Sequence, residues 1–96
     1  MSDPRGKEER TFDSDYNSCL KHSQAMLKKL RENSHKAHWS TVSTEFLLDR
    51  LLEEVEELAE ALDYGSTDDI VSECADVSNF AMMIAEKAKG DYYGLV

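Results

Sequence analysis

The stretch LLDRLLEEVEELAEAL, residues 47–62, carries the pattern that decides the fold. At about 100° per residue, an α-helix brings residues three, four and seven positions apart onto one face. Apolar residues recur at this spacing and predict a stripe made of Leu48, Leu51, Val55, Leu58 and Leu62. Glu53, Glu56 and Glu60 fall on the opposite side, where we expect them to face water. The stretch therefore predicts one long amphipathic helix.

Two glutamates of this helix lie closer to its apolar side. Glu54 falls at the edge of the stripe, seven residues after Leu47, and Glu57 follows one turn later. Residues three apart on a helix have Cβ atoms about 5–6 Å from each other, so both carboxylates can point at one spot beside the core. Taken alone, these glutamates are better explained as an acidic surface, with Arg50 pairing to Glu54 one turn away.

A second carboxylate pair lies in the stretch IVSECADVSNF, residues 70–80. On a helix over residues 70–88, the predicted apolar face consists of Ile70, Val77, Phe80 and Ile84. Glu73 projects into the middle of this face, and Asp76 lies at its edge. A buried carboxylate is costly without a partner, and no basic residue lies on this face near Glu73. Four carboxylates from two helices would repel one another unless a cation joined them, and their hard oxygens suit Mg²⁺ or Mn²⁺.

Helical spacing also begins at Phe12, where Asp13 or Ser14 can cap the start of the helix, and it ends near Asn33. The second helix has candidate caps over residues 40–44, and the third runs to Lys89, where Gly90 stops it. Between them we expect Gly65 to take a positive φ and residues 66–69 to form a capping box. No strand pattern is visible. We predict an all-α fold, an antiparallel helical bundle of three long helices plus short segments, completed by oligomerisation because the core is small.

Composition limits the remaining possibilities. Residues 1–10 are polar and predict a flexible lead-in, followed by a single helical domain over residues 11–96. A net charge of −9 argues against nucleic acid and anionic membranes as partners. Cys19 and Cys74 lack metal-site spacing, and we expect both to be small buried residues in a reducing compartment. No apolar run approaches the roughly 20 residues of a membrane span, and no signal peptide is visible, so we expect a cytoplasmic protein.

The two acidic motifs carry a resemblance to a known family. EExxE over residues 53–57, followed by ExxD over residues 73–76, resembles the all-α nucleoside triphosphate pyrophosphohydrolases, and the similarity covers residues 33–89. This family includes MazG-like proteins, dimeric dUTPases and phosphoribosyl-ATP pyrophosphohydrolases. Residues 77–80, VSNF, lack the aromatic–histidine pair of the phosphoribosyl-ATP branch, and no long insertion separates the motifs as in the dUTPases. The resemblance therefore favours the MazG-like branch, with the other two as alternatives of the same fold.

The resemblance implies a Mg²⁺-dependent enzyme that converts a (d)NTP into (d)NMP and pyrophosphate, with Mn²⁺ as an alternative ion and a homodimer or homotetramer as the assembly. It assigns the metal to Glu54, Glu57, Glu73 and Asp76. The candidate catalytic residues are Glu53, which would assist a second ion or its waters, and Glu54. One of the glutamates would accept the proton of the attacking water.

Further residues are candidates for binding the nucleoside triphosphate, since aromatic rings stack on bases and lysine neutralises phosphate charge. They are His35, Lys36, His38, Trp39, Asn79 and Lys87. Trp39 could equally anchor its loop under the helices, and Lys87 lies on the side of Glu73 but about three turns away. Two rival hypotheses are a non-catalytic helical interaction module and an acid-rich metal-binding protein without turnover.

Overall fold

The computed structural model describes residues 9–36 and 38–90 of the chain. Its elements are α1 (Phe12–Glu32), a short 3-10 helix (Trp39–Thr41), α2 (Thr44–Tyr64) and α3 (Thr67–Lys89). No strand occurs in the described ranges, so the predicted all-α fold of three long helices is confirmed. The lead-in expected over residues 1–10 lies outside the described residues, apart from its last two positions.

Each long helix begins at a hydroxyl side chain that accepts a hydrogen bond from the first turn. Thr11 caps α1 by accepting from the Ser14 backbone N–H at 3.0 Å, so the predicted caps Asp13 and Ser14 are wrong. The helix starts two or three residues earlier than those caps require, because Phe12 is already its first residue. Ser43 caps α2, inside the predicted range.

The turn between α2 and α3 is made tight by a glycine and a capping box. Ser66 and Asp69 exchange side-chain and backbone hydrogen bonds at 3.0 and 3.1 Å, as predicted. Gly65 has φ −93°, so the positive φ expected there is wrong. A Cβ on Gly65 would lie 2.8 Å from the Ala61 carbonyl oxygen, so glycine is required by close packing. Gly90, with φ 71°, ends α3 as predicted.

Helix α3 is the element against which the other two pack. It forms an antiparallel hairpin with α2, and at the open end of this hairpin the Lys87 Nζ donates to the Val42 carbonyl oxygen at 2.7 Å. Helix α1 is tied to α3 by a 2.8 Å hydrogen bond between His22 and Ser78. Because α1 and α2 each make their main contacts with α3, a groove remains between them.

The face that α2 turns towards α3 differs from the predicted stripe. The fully buried residues of α2, within the described ranges, are Leu47 and Glu54, whereas Leu48, Val55 and Leu62 are 44–63% exposed. Leu51 and Leu58, the other two members of the predicted stripe, are half-buried. The inward face therefore overlaps the predicted stripe at these two leucines and is shifted around the helix towards Leu47 and Glu54. The predicted exposure of Glu53, Glu56 and Glu60 is confirmed.

On α3 the fully buried residues in the described ranges are Ala75 and Asn79, each at most 3% exposed. The predicted apolar residues Ile70, Val77, Phe80 and Ile84 are half-buried. The expected burial of the cysteines is wrong, because Cys19 is exposed and Cys74 is only half-buried. No helix in the described part of the chain is long and apolar enough to cross a membrane.

Candidate metal and nucleotide site

The structure brings three acidic side chains from two helices into one cluster. Glu54 and Glu57 come from α2 and Glu73 from α3, and each offers a carboxylate oxygen within 4.8 Å of the other two. The three-residue step on α2 makes this possible, since it aligns two side chains one turn apart. Oxygens on opposite sides of a bound Mg²⁺ lie about 4.2 Å apart, so a small side-chain shift suffices to close the cluster on an ion.

Glu54 is the most buried member of the cluster, with only 5% of its surface exposed. Its Oε1 accepts from the Arg50 Nη2 at 3.0 Å, which is the pairing predicted if these glutamates form only an acidic surface. Its Oε2 is buried and has no hydrogen-bond partner among the described residues. A buried, unpaired carboxylate oxygen is costly, and beside two further carboxylates it is suited to bind a cation.

The pKa values of the acidic groups reflect burial and mutual repulsion. Burial raises the pKa of Glu54 to about 7. A hydrogen bond that its protonated carboxyl can share with Glu57 and the negative charge of Asp76 add to the rise, and the charge of Arg50 opposes it. The pKa values of Glu73 and Asp76 are also raised, in both cases mainly by burial. Each group therefore holds its proton more strongly than an exposed carboxyl, as expected for carboxylates that are partly desolvated and lie close to one another.

Asp76 lies beside the cluster and is engaged by a lysine from α1. The Lys29 Nζ is 3.5 Å from the Asp76 Oδ2 and 3.7 Å from the Glu32 Oε1. Asp76 is near enough for its charge to raise the pKa of both Glu54 and Glu73. Asp76 was predicted as the fourth metal ligand, but it is not among the three carboxylates whose oxygens lie within 4.8 Å of one another.

Glu53 is the acidic residue of the first motif that the fold keeps apart from the cluster. It is exposed, and its Oε2 accepts from the Arg50 Nη1. The Arg50 guanidinium also lies over the Phe80 ring, 5.3 Å from its centroid. Arg50 is therefore fixed by two carboxylates and an aromatic ring, and it links the exposed Glu53 to the buried Glu54.

A groove of about 690 Å³ opens next to these carboxylates, between α1, the 3-10 helix, α2 and α3. Glu54 and Asp76 contribute to one part of its lining, and apolar side chains form much of the rest. These apolar residues are Leu30, Trp39, Val42, Phe46, Leu47, Phe80 and Met83. The volume falls within the range of about 300–1,000 Å³ that is usual for small-molecule sites. Acidic groups and aromatic walls thus share one cavity.

Four of the six residues predicted to bind substrate line this groove: Lys36, His38, Trp39 and Asn79. The His38 and Trp39 rings stack, with centroids 3.9 Å apart. The Trp39 Nε1 and the Asn79 Oδ1 are buried and have no hydrogen-bond partner among the described residues. Two residues that line the groove therefore each carry a buried polar atom without a partner among the described residues, one a donor and the other an acceptor.

The other two predicted substrate residues lie elsewhere. His35 is exposed and does not line the groove, and the Lys87 Nζ is bonded to the Val42 carbonyl at the end of the hairpin. Sequence reasoning missed Lys29, which comes from a helix outside the acidic motifs, and Phe46, which precedes the predicted stripe. The spacing of α1 gave no signal for Lys29, since its partner Asp76 is distant in the chain.

The described helices thus combine a carboxylate cluster that could hold a metal ion with an adjoining groove lined by aromatic side chains. The family model of the MazG nucleotide pyrophosphohydrolase domain matches residues 42–93, more than half of the chain. The chain belongs to this family, and the resemblance seen in the sequence is confirmed. At the level of the family it is therefore an enzyme of the pyrophosphohydrolase type. No curated protein and no solved structure matches it significantly.

We expect divalent metal to stabilise the fold, because a cation that binds only the native state raises the free energy of unfolding by mass action. At a free Mg²⁺ or Mn²⁺ concentration about 100-fold above Kd, the gain is about 2.7 kcal/mol. Thermal unfolding followed by circular dichroism measures it as a rise in Tm that EDTA reverses.

The rise should disappear in the double variant Glu54→Gln, Glu73→Gln. The matched control is Glu56→Gln, Glu60→Gln, which removes the same charge from exposed positions of α2 and should keep the rise. An unchanged wild-type Tm, or an equal rise in both double variants, would contradict a metal site at this cluster.

Proposed function

We propose that the chain is a Mg²⁺-dependent hydrolase that splits a nucleoside or deoxynucleoside triphosphate into the monophosphate and pyrophosphate. The observation that carries this proposal is the buried, unpaired Glu54 Oε2, with Glu57 and Glu73 oxygens within 4.8 Å of the Glu54 carboxylate. Carboxylate oxygens on rigid helices fit Mg²⁺, with Mn²⁺ as the alternative ion. Membership of the MazG family supports the reaction class.

Glu54, Glu57, Glu73 and Asp76 would hold the ion in this mechanism. A bound Mg²⁺ supplies neutralisation of phosphate oxygens and a lowered pKa for an attacking water. The water adds to the α-phosphorus, the bond from that phosphorus to the oxygen bridging to the β-phosphate breaks, and pyrophosphate leaves. Glu54 is our first candidate for the proton acceptor. Glu53 serves the site through Arg50, which it holds against Glu54.

The nucleoside would occupy the groove next to the carboxylates. Trp39, Phe46 and Phe80 offer aromatic surface to a base. The unpaired Trp39 Nε1 and Asn79 Oδ1 would be satisfied by an acceptor and a donor on the ligand, which removes the cost of leaving them unpaired. Lys36 and His38 also line the groove and would contact the phosphates or the sugar.

The strongest rival is a helical interaction module without turnover. A module of this kind uses apolar helix faces, and a carboxylate on such a face weakens the contact. Glu73 is half-buried and clustered with two further glutamates, which an interaction helix does not require. The enzyme hypothesis explains this arrangement, so we prefer it.

Glu73→Gln should reduce pyrophosphate release by about 10²-fold or more, because glutamine keeps the size but removes the charge that holds the cation. The measurement is pyrophosphate release from a panel of NTPs and dNTPs, with and without Mg²⁺. In metal-free buffer the variant should be at least as stable as the wild type, since one of the repelling charges is gone. Glu56→Gln, at an exposed position of α2, is the control and should be near neutral.

Two results would refute the enzyme hypothesis. The first is a wild-type protein that releases no pyrophosphate from any nucleotide in the presence of Mg²⁺ or Mn²⁺. The second is full activity in Glu73→Gln.

We also infer that the chain forms a homodimer or homotetramer. Four apolar residues of α2, namely Leu48, Leu52, Val55 and Leu62, are 44–63% exposed and follow one another along a single face. Helix α1 has a similar face, with Phe12, Tyr16, Leu20 and Leu27 each at least 45% exposed. Apolar stripes of this length on a small domain usually mark interfaces, and a second copy would cover them by symmetry.

Light scattering at micromolar concentration should therefore give two or four times the mass of 10.9 kDa. Leu52→Glu places a charge in the middle of the α2 stripe and should shift the protein towards the monomer. Glu56→Gln, on the same helix but outside the stripe, is the control. A fully helical wild-type protein with a monomer mass would refute the inferred assembly.

A further inference from the structure

Lys29 is a cation that faces the carboxylates from outside the segment matched by the family. It lies in the last turn of α1, and the family match begins at residue 42. The side chain is 22% exposed, lines the groove and points its Nζ at Asp76. The acidic motifs do not account for this residue, because it comes from a helix that does not contain them.

The contacts of Lys29 are longer than those of a well-made charged hydrogen bond. Its Nζ lies 3.5 Å from the Asp76 Oδ2 and 3.7 Å from the Glu32 Oε1, whereas N–H···O bonds usually span about 2.7–3.2 Å. Lysine also has a flexible stem and a compact charge that can rotate between partners. Lys29 is therefore held near Asp76 by charge and is not locked to it.

Arg50, the other cation next to the cluster, is held differently. Its guanidinium donates to Glu53 and to Glu54 at once and lies over the Phe80 ring. Releasing Arg50 would break all three interactions, while releasing Lys29 would break only two long ion pairs. Of these two cations, Lys29 is the one that can change partner at little cost.

The charge balance around the carboxylate cluster gives Lys29 a reason to change partner. The carboxylates of Glu54, Glu57, Glu73 and Asp76 outnumber the neighbouring cations Lys29 and Arg50, so this end of the site is formally negative without a metal ion and would repel a polyphosphate. Of these carboxylates only Glu54 and Asp76 line the groove, where Lys36 adds a further positive charge. If Asp76 held a divalent ion, Lys29 would lose its main partner beside the space that the phosphates would occupy.

Building on the proposed function, we propose that Lys29 is a phosphate-binding residue of this site: it pairs with Asp76 when no metal is bound, and it transfers to a substrate phosphate when the ion takes Asp76. Lysine is a common partner of phosphate, as a point charge with three donors. The exchange makes metal and nucleotide binding mutually favourable. The metal ion frees Lys29 from Asp76, and the nucleotide phosphate then binds the freed Lys29.

The test compares Lys29→Met with Lys28→Met. Both variants remove one positive charge from α1, but Lys28 is exposed and lies outside the groove. The first measurement is calorimetric titration of Mn²⁺ into the nucleotide-free protein. Because Lys29 competes with the ion for Asp76, Lys29→Met should bind Mn²⁺ roughly two- to fivefold more tightly than Lys28→Met.

The second measurement is the binding of a non-hydrolysable nucleotide, blocked between the α- and β-phosphates, in the presence of Mg²⁺. Lys29→Met should bind it about tenfold or more weakly than Lys28→Met, the size expected for losing a hydrogen bond between charged groups. In turnover the same loss should appear mainly as a raised KM. Lys29→Gln, which keeps a donor for Asp76, is the second variant if the methionine variant folds poorly, and it should lose nucleotide affinity as well.

Opposite changes in the two affinities, tighter metal and weaker nucleotide, are the signature of the exchange. Equal nucleotide affinity in Lys29→Met and Lys28→Met, with a wild type that hydrolyses nucleotides, would overturn this inference and leave the proposed function standing. Weaker metal binding in Lys29→Met would also overturn it, because Lys29 would then support Asp76 and not compete for it. A wild type that neither binds nor hydrolyses any nucleotide would refute the proposed function and this inference together.

Discussion

The burial of the Glu54 carboxylate next to two other acidic side chains is the constraint on which the rest of the structure depends. Glu54 is 5% exposed, and one of its oxygens is unpaired among the described residues. Placing like charges together in a poorly solvated site opposes folding. The same burial and repulsion raise the pKa values of Glu54 and Glu73. A divalent cation would turn the same arrangement into a stabilising one, so metal binding and folding are expected to be coupled.

The hairpin of α2 and α3 carries the acidic motifs, but the groove needs more than the hairpin. Helix α1 adds Lys29 and Leu30 to the lining, and the connection after it adds Trp39. Asn79 ties α1 to this arrangement, since its Nδ2 donates to the Met26 carbonyl oxygen at 3.0 Å. Because the Met26 carbonyl oxygen can only accept, the Asn79 atom bonded to it is the Nδ2 donor. The Asn79 Oδ1, an acceptor, is left without a partner among the described residues. The same residue thus joins two helices and leaves a polar atom for a ligand.

The sequence predicted the helices, and the pairing of Glu54 with Glu57, from local spacing. That Glu73 of α3 joins these two glutamates, while Asp76 stays outside the group of three, depends on how the helices pack. Glu54 and Glu57 meet through a three-residue step, and the capping box at Ser66 is likewise a local pattern. The predictions that failed depend on tertiary packing. Which face of α2 is buried was misjudged because a glutamate, Glu54, lies on the inward face. The position of Lys29 beside Asp76 could not be predicted, because this contact joins two helices far apart in the chain.

The central claim, that these carboxylates bind one divalent ion, is tested most directly by locating that ion. Crystals grown with Mn²⁺ should give an anomalous difference peak bonded to the Glu54 Oε2, with oxygens of Glu57, Glu73 and Asp76 completing the protein ligands at about 2.0–2.3 Å. In the same map the Lys29 Nζ should have moved away from Asp76. An anomalous map with no peak at Glu54, or with manganese only at exposed carboxylates such as Glu60, would contradict the claim.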